Sequence, residues 1–137
     1  MMKPIHGTVC LVVALLATSL GCNNGPDYPV GDVSGKLTLK GNPIKGDVEL
    51  FLMDHKTGFA YKALVTEDGG FEVNEPVRVG NYVAYVQPAV DLNLSMDGAP
   101  TPTTATAAVP AKYTNDARSD LLAEVKEGPN HFAFEMK

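Results

Sequence analysis

The chain has 137 residues, a hydrophobic fraction of 45%, and 16 acidic against 11 basic side chains, giving a formal net charge of −5 at neutral pH. No run of Lys or Arg occurs, which argues against nucleic acid and against electrostatic docking on anionic lipid. Two cysteines, Cys10 and Cys22, both near the N-terminus, provide no disulfide framework for the remainder of the chain.

In chain order, Lys3 precedes an uncharged apolar run from Thr8 to Leu20. This run is shorter than the roughly 20 residues that span a bilayer and fits the core of an export signal. It leads into Ser19-Leu20-Gly21-Cys22, which resembles a bacterial lipobox, with Leu20 two residues before the cysteine rather than the usual three. Residues 1–21 are therefore expected to be a lipoprotein signal peptide, with Cys22 the lipidated residue. Cleavage there removes Cys10 and consumes Cys22, so the mature domain must be stabilised by packing alone. Each buried acyl methylene contributes about 0.8 kcal/mol, and two or more chains hold a protein at a membrane firmly. Residues 22–30, with Asn23-Asn24-Gly25-Pro26 and Pro29, read as a short turn-rich tether. Asn23, in place of the Asp that marks inner-membrane retention in enteric bacteria, gives a mild preference for the outer membrane.

Residues 31–137 read as one domain. Val33, Gly35, Leu37 and Leu39 alternate with Ser34, Lys36, Thr38 and Lys40, a half-buried strand that Gly41-Asn42-Pro43 ends. Asp47 to Asp54 predicts a second strand with Val48, Leu50 and Leu52 inward and an unusually apolar outer face at Phe51 and Met53. Phe59 to Glu67 predicts a third, with Phe59, Tyr61, Ala63 and Val65 aligned inward. Asp68-Gly69-Gly70 predicts a tight hairpin into a fourth strand carrying Phe71 and Val73. Gly80 to Gln87 places Tyr82, Ala84 and Val86 opposite Val83, Tyr85 and Gln87, and Pro88 closes that strand. Leu121 to Lys126, a turn at Glu127-Gly128-Pro129-Asn130, and Phe132, Phe134 and Met136 predict a second hairpin. The expectation is an all-β fold, a single antiparallel seven-stranded β-sandwich. Residues 89–110, with three prolines and the low-complexity run Thr101 to Ala108, are expected to form a long loop or insertion.

Three segments in this order, from Val33-Ser34-Gly35-Lys36 to Gly46-Asp47-Val48, then Thr66-Glu67-Asp68-Gly69-Gly70-Phe71, then Gly80-Asn81-Tyr82-Val83-Ala84-Tyr85-Val86, resemble the carboxypeptidase-regulatory-like, or transthyretin-like, β-sandwich domain. The ending, from Val109-Pro110-Ala111-Lys112-Tyr113 through Glu127-Gly128-Pro129-Asn130-His131-Phe132, resembles small planctomycete-type lipoproteins that carry this domain behind a lipobox. The shared residues are glycines, turns and core positions. The resemblance thus implies a fold and an envelope address, with no common catalytic residue and no cofactor. The ureide-pathway hydrolase of the transthyretin-like group ends in Tyr-Arg-Gly-Ser, whereas this chain ends in Phe134-Glu135-Met136-Lys137.

Candidate sites are few. Asp91, Asn93, Ser95 and Asp97 alternate before Gly98 like a calcium loop, but Met96 and Pro102 stand where an EF-hand needs Gly and a bidentate acid. His55 and His131 lack zinc-ligand spacing and read as exposed turn residues, so no metal is expected. Ser34, Ser95 and Ser119 lie outside any nucleophile elbow. Of Tyr28, Tyr61, Tyr82, Tyr85 and Tyr113, Tyr61 and Tyr82 fall on core faces, while Tyr85 could join Phe51 and Met53 in an apolar contact patch or a sugar platform. The expected function is that of a lipid-anchored cell-envelope module, structural or adhesive and not an enzyme. Its partners would be the membrane through Cys22 and another protein, or a second copy, through a sheet edge. Carbohydrate or small-ligand binding is the alternative, with a hydrolase behind it.

Overall fold

A computed structural model describes residues 25–44, 47–89 and 108–137. The expected signal peptide, Cys22, the Asp91–Gly98 segment and all but the ends of the 89–110 loop lie outside the described residues. Nine strands are described: β1 (Val30–Leu39), β2 (Asn42–Pro43), β3 (Val48–Met53), β4 (Ala60–Leu64), β5 (Gly70–Glu72), β6 (Val77–Arg78), β7 (Gly80–Pro88), β8 (Leu121–Val125) and β9 (Gly128–Met136). A 3-10 turn, Ala111–Thr114, precedes β8. The fold is all-β, in two sheets consistent with a β-sandwich. The predicted seven strands are supplemented by the two-residue pairings β2 and β6.

The first sheet is organised around β1. On one edge it pairs antiparallel in succession with β6 (Val30↔Arg78), β5 (Gly35↔Phe71) and β2 (Leu39↔Asn42). On the other edge it pairs with β9, parallel, in an unbroken register from Gly31↔Gly128 to Leu39↔Met136. The second sheet runs β4-β3-β7-β8 and is antiparallel throughout. The inner faces supply the core expected from alternation: Val33 and Leu37 of β1, Val48, Leu50 and Leu52 of β3, Tyr82, Ala84 and Val86 of β7, Ala123 and Val125 of β8, and Phe134 and Met136 of β9. Gly35 sits where this packing is tightest, since a Cβ there would run into the Phe132 carbonyl and the Phe71 ring.

Two buried tyrosines illustrate how the core admits polar atoms. Tyr61 and Tyr82 pack edge to face, with centroids 5.8 Å apart. The Tyr82 hydroxyl donates to Arg78 O at 2.7 Å, and Arg78 N donates to the Tyr61 hydroxyl at 3.1 Å. Both phenols are thus satisfied by the backbone of β6, as buried polar groups must be. Burial pushes the Tyr82 phenol well above its ordinary range, so it remains a neutral donor.

Three expectations are corrected. The segments 121–126 and 132–136 do not form a hairpin: β8 pairs with β7 in the second sheet and β9 with β1 in the first. The turn between them is a corner, held by Asn130. Its side-chain amide donates to Lys126 O (2.7 Å), Gly128 O (2.9 Å) and Asp32 O (3.3 Å), while its carbonyl oxygen accepts from Lys126 N (2.9 Å). Gly128, at φ +83°, turns the chain there. The sandwich is consequently not purely antiparallel, because β1 and β9 run in the same direction. Finally, β4 begins at Ala60, and Phe59 lies outside the core at 37% exposure.

The Asp68-Gly69-Gly70 turn is present but joins the two sheets. Thr66 N donates to Gly70 O (2.8 Å), the Thr66 hydroxyl contacts the Asp68 carboxylate, and Gly69 adopts φ +80°. Only Val65 and Phe71 bridge before β4 continues in one sheet and β5 in the other. Asn130→Ala removes the corner's side-chain hydrogen bonds and changes no core residue, because Asn130 stands near the start of β9 with its side chain in the corner. It should lower the free energy of unfolding by about 1–3 kcal/mol, read from urea denaturation midpoints at unchanged slope.

Candidate functional site

The expected patch lies on the outer face of the second sheet. Phe51 of β3 and Tyr85 of β7 are cross-strand neighbours whose rings stack at 5.3 Å and 19°. In the next row Met53 sits beside Val83, which in turn pairs with Leu122. Phe51, Met53 and Tyr85 are all half-buried, neither sealed inside the chain nor fully open. The segment after the 3-10 turn reaches this side, for Asp116 Oδ2 lies 3.7 Å from His55 Nε2. Burial raises the Tyr85 phenol, and the nearby Asp116 carboxylate adds to the effect. The more exposed apolar side chains of this face are Leu64, at 61%, and Leu122, at 73%. Both stand at outward positions of alternating strands, so the pattern that placed Phe51 outward also marks them.

Among the described residues the catalytic candidates do not converge. His55 contacts Asp116, whereas His131 Nδ1 lies 3.4 Å from Ser34 Oγ on the other sheet. A nucleophilic triad needs its imidazole between the serine and the carboxylate. Here the serine and the acid contact different histidines. Ser119 Oγ donates to Ala84 O and serves as a brace for the start of β8. His131 is exposed as expected but belongs to β9 rather than to a turn. Among the described residues no group of three or more His, Cys, Asp or Glu is placed to hold a metal ion. Ser95 lies outside the described residues.

A second feature, not anticipated from the sequence, occupies the end of the sandwich near the β3–β4 and β6–β7 turns. A shallow cleft of about 420 Å3 is lined by Asp54, His55, Lys56, Arg78 and Asn81 among others. Arg78 is flanked by two aromatic rings, its guanidinium carbon 4.9 Å from the Tyr28 centroid and 5.0 Å from that of Phe59. Cation–π attraction of this kind contributes about 0.5–1 kcal/mol at exposed sites. The three residues come from the approach to β1, the approach to β4, and β6. The cluster therefore ties residues just before β1 to the domain. Asp54 builds the cleft wall: Oδ1 accepts from Lys56 N (2.8 Å) and Thr57 N (3.3 Å), and Oδ2 from the Thr57 hydroxyl (2.7 Å). The Thr57 hydroxyl bond holds the Asp54 carboxyl below the usual carboxylate range, against the opposing effect of burial.

No family model matches the chain, and no curated protein matches it. Among solved structures it is similar to the crystal structure of a DUF3823 family protein from Parabacteroides merdae ATCC 43184 at 1.80 Å resolution. Sequence identity is 14% and the TM-score is 0.48. The match covers 80% of this chain and 46% of that one, so the chain spans less than half the length of that protein.

Two measurements test the site description. Leu122→Ser should change stability by no more than about 0.5 kcal/mol, as is usual for an exposed position, whereas Phe51→Ser should cost about 1 kcal/mol or more through loss of the half-buried ring and its stack on Tyr85. For Asp54, the lowered folded-state pKa means that its stabilisation is fully present above the unfolded value of about 3.9 and is lost as pH falls through the folded value. Urea midpoints of the parent should therefore decline below about pH 4 more steeply than those of Asp54→Asn. At pH 7 the variant should be less stable by about 1–2 kcal/mol.

Proposed function

We propose that this protein is a lipid-anchored module of the bacterial cell envelope. In this reading it is a non-catalytic β-sandwich of the transthyretin-like, carboxypeptidase-regulatory-like kind that works by contact with other macromolecules. The observation that carries the reading is the order of features at the start of the chain. An uncharged apolar run behind Lys3 leads into Gly21-Cys22, and β1 begins only eight residues after Cys22, at Val30. A domain placed so close behind an acylated cysteine is held against the bilayer, where lateral confinement raises its encounter rate with other anchored chains. The separate partners of His55 and His131 support a contact role over hydrolysis. A preference for the outer membrane rests on Asn23.

A second reading, binding of carbohydrate, is favoured by one observation, the Phe51–Tyr85 stack on an outer sheet face. Sugars bind aromatic platforms by their apolar faces. The half-burial of both rings leaves less of a platform than a single exposed ring would, which places this reading second.

The anchor is tested by expressing the full chain in a bacterium with a lipoprotein-processing pathway, beside the Cys22→Ser variant, and partitioning both with detergent. The parent should enter the detergent phase and incorporate labelled fatty acid. Cys22→Ser should remain aqueous, and equal partitioning of the two would overturn the lipoprotein assignment.

A further inference from the structure

Among the described residues no strand pairs with the outer edge of β9, whose residues are self-complementary, and we infer that two copies of this chain pair through it, antiparallel, about a two-fold axis at Ala133. The inference rests on the contact role proposed above and names its partner.

One side of β9 is committed to β1 along the whole strand. Met136 O accepts from Lys40 N at 2.8 Å, and Phe134 O accepts from the Thr38 hydroxyl at 3.4 Å, so the even-numbered residues turn their backbone groups toward β1. By strand alternation His131, Ala133 and Glu135 turn theirs outward. No described strand pairs with that edge. Lys137 N, the next outward donor, is taken by the Tyr113 hydroxyl at 3.0 Å, which closes the edge at its end. At its beginning, Pro129 has no N–H to offer. The open run is therefore His131 to Glu135, and its midpoint is Ala133.

An antiparallel copy centred there makes every outward residue part of a hydrogen-bonded pair: Ala133 with Ala133, and His131 with Glu135 twice over. Two-fold registers centred at residue 131 or 132 oppose Pro129 to a residue in need of a donor, and those centred at 134 or 135 call on Lys137, whose N–H is already taken by the Tyr113 hydroxyl. The side chains agree with the backbone. His131, Ala133 and Glu135 are exposed on the outer face, so the pairing brings the imidazole of each copy beside the carboxylate of the other across a small central residue. An imidazole N–H set directly across from a carboxylate can donate to it, whereas two like charges placed there repel. On the inner face Phe132 is only half-buried and stacks on Phe134 at 5.6 Å. Pairing places it against Phe134 of the second copy and completes its burial. Edge strands that must remain single are usually guarded by inward charges, bulges or lysines, and between His131 and Glu135 this strand has none of these.

The test is the mass of the full acylated chain in detergent micelles, by light scattering with the detergent subtracted, beside the Cys22→Ser chain in buffer, both at protein concentrations on the order of 100 µM, where weak contacts are populated. Each is expected to give the mass of two copies. His131→Glu should weaken association about tenfold by opposing two carboxylates twice, and His131→Glu/Glu135→His should restore it. Ala133→Pro, which deletes an outward N–H that no described strand pairs with, should give a folded monomer by circular dichroism. A monomeric parent, a dimeric Ala133→Pro variant, or a charge swap that fails to restore pairing would each overturn the inference. An acylated chain that enters detergent but stays monomeric would overturn it while leaving the anchor assignment intact. A dimer whose partitioning ignores Cys22 would do the reverse.

Discussion

The structure depends on the parallel pairing of β1 with β9. Through it the first long strand and the last strand become neighbours along nine consecutive positions, from Gly31↔Gly128 to Leu39↔Met136. Everything between has to be arranged so that these two meet. β2, β5 and β6 occupy the opposite edge of β1 in succession, so the central strand has partners on both sides although three separate short segments supply one of them. The approach is so close that Gly35 cannot carry a side chain, and Ser34 meets His131 across a separation of 97 residues. The entropic cost of closing such a loop grows only with the logarithm of its length. A ladder of this kind therefore tolerates insertions between its strands far better than it tolerates a changed residue within it.

The two sheets present unlike exteriors. Outside the first stand Asp32, Ser34, Lys36, Glu72, His131 and Glu135, a polar surface consistent with a solvated face. Outside the second stand Phe51, Met53, Val83, Tyr85, Leu64 and Leu122, with Lys62 and Glu49 paired at 3.1 Å among them. Apolar atoms are normal on protein surfaces, but their concentration on one layer gives the molecule a sided character. The half-burial of Phe51 and Tyr85 limits how much of that layer is open, and Leu64 and Leu122 carry the larger exposed share.

Much of the strand content was legible because alternation records burial directly. Val48, Leu50 and Leu52, then Tyr82, Ala84 and Val86, then Leu121, Ala123 and Val125 all face the core as their spacing implies. Pairing partners were less legible. Glu127-Gly128-Pro129-Asn130 announces a change of direction, but nothing local states whether the chain folds back on itself or crosses to the other sheet; the deciding interaction, Asn130 with Asp32 O, spans 98 residues. Phe59 was misplaced for a related reason. It continues the alternation of β4 by identity, yet it is held outside by Arg78, a residue of another strand. The Tyr28–Phe59–Arg78 cluster and the cleft beside it were invisible in the sequence because no two of the three residues are near one another in the chain. The outer patch was legible to a degree, since its residues follow the same period as the core, but the nearness of the Asp116 carboxylate to Tyr85 and His55 was not, because those residues lie far apart in the chain.

The direction of the β1–β9 ladder also determines how the domain would respond to a pull. Because the strands run parallel, Val30 at the start of β1 and Met136 at the end of β9 lie at opposite ends of a common ladder about 30 Å long, taking about 3.3 Å per residue. Tension between those two points slides one strand along the other and loads all the rungs together. In an antiparallel hairpin the same two attachment points would sit side by side, and the rungs would break in sequence, each bearing the load alone. The topology thus gives this sandwich a shear-resistant axis along the line from its entry strand to its last.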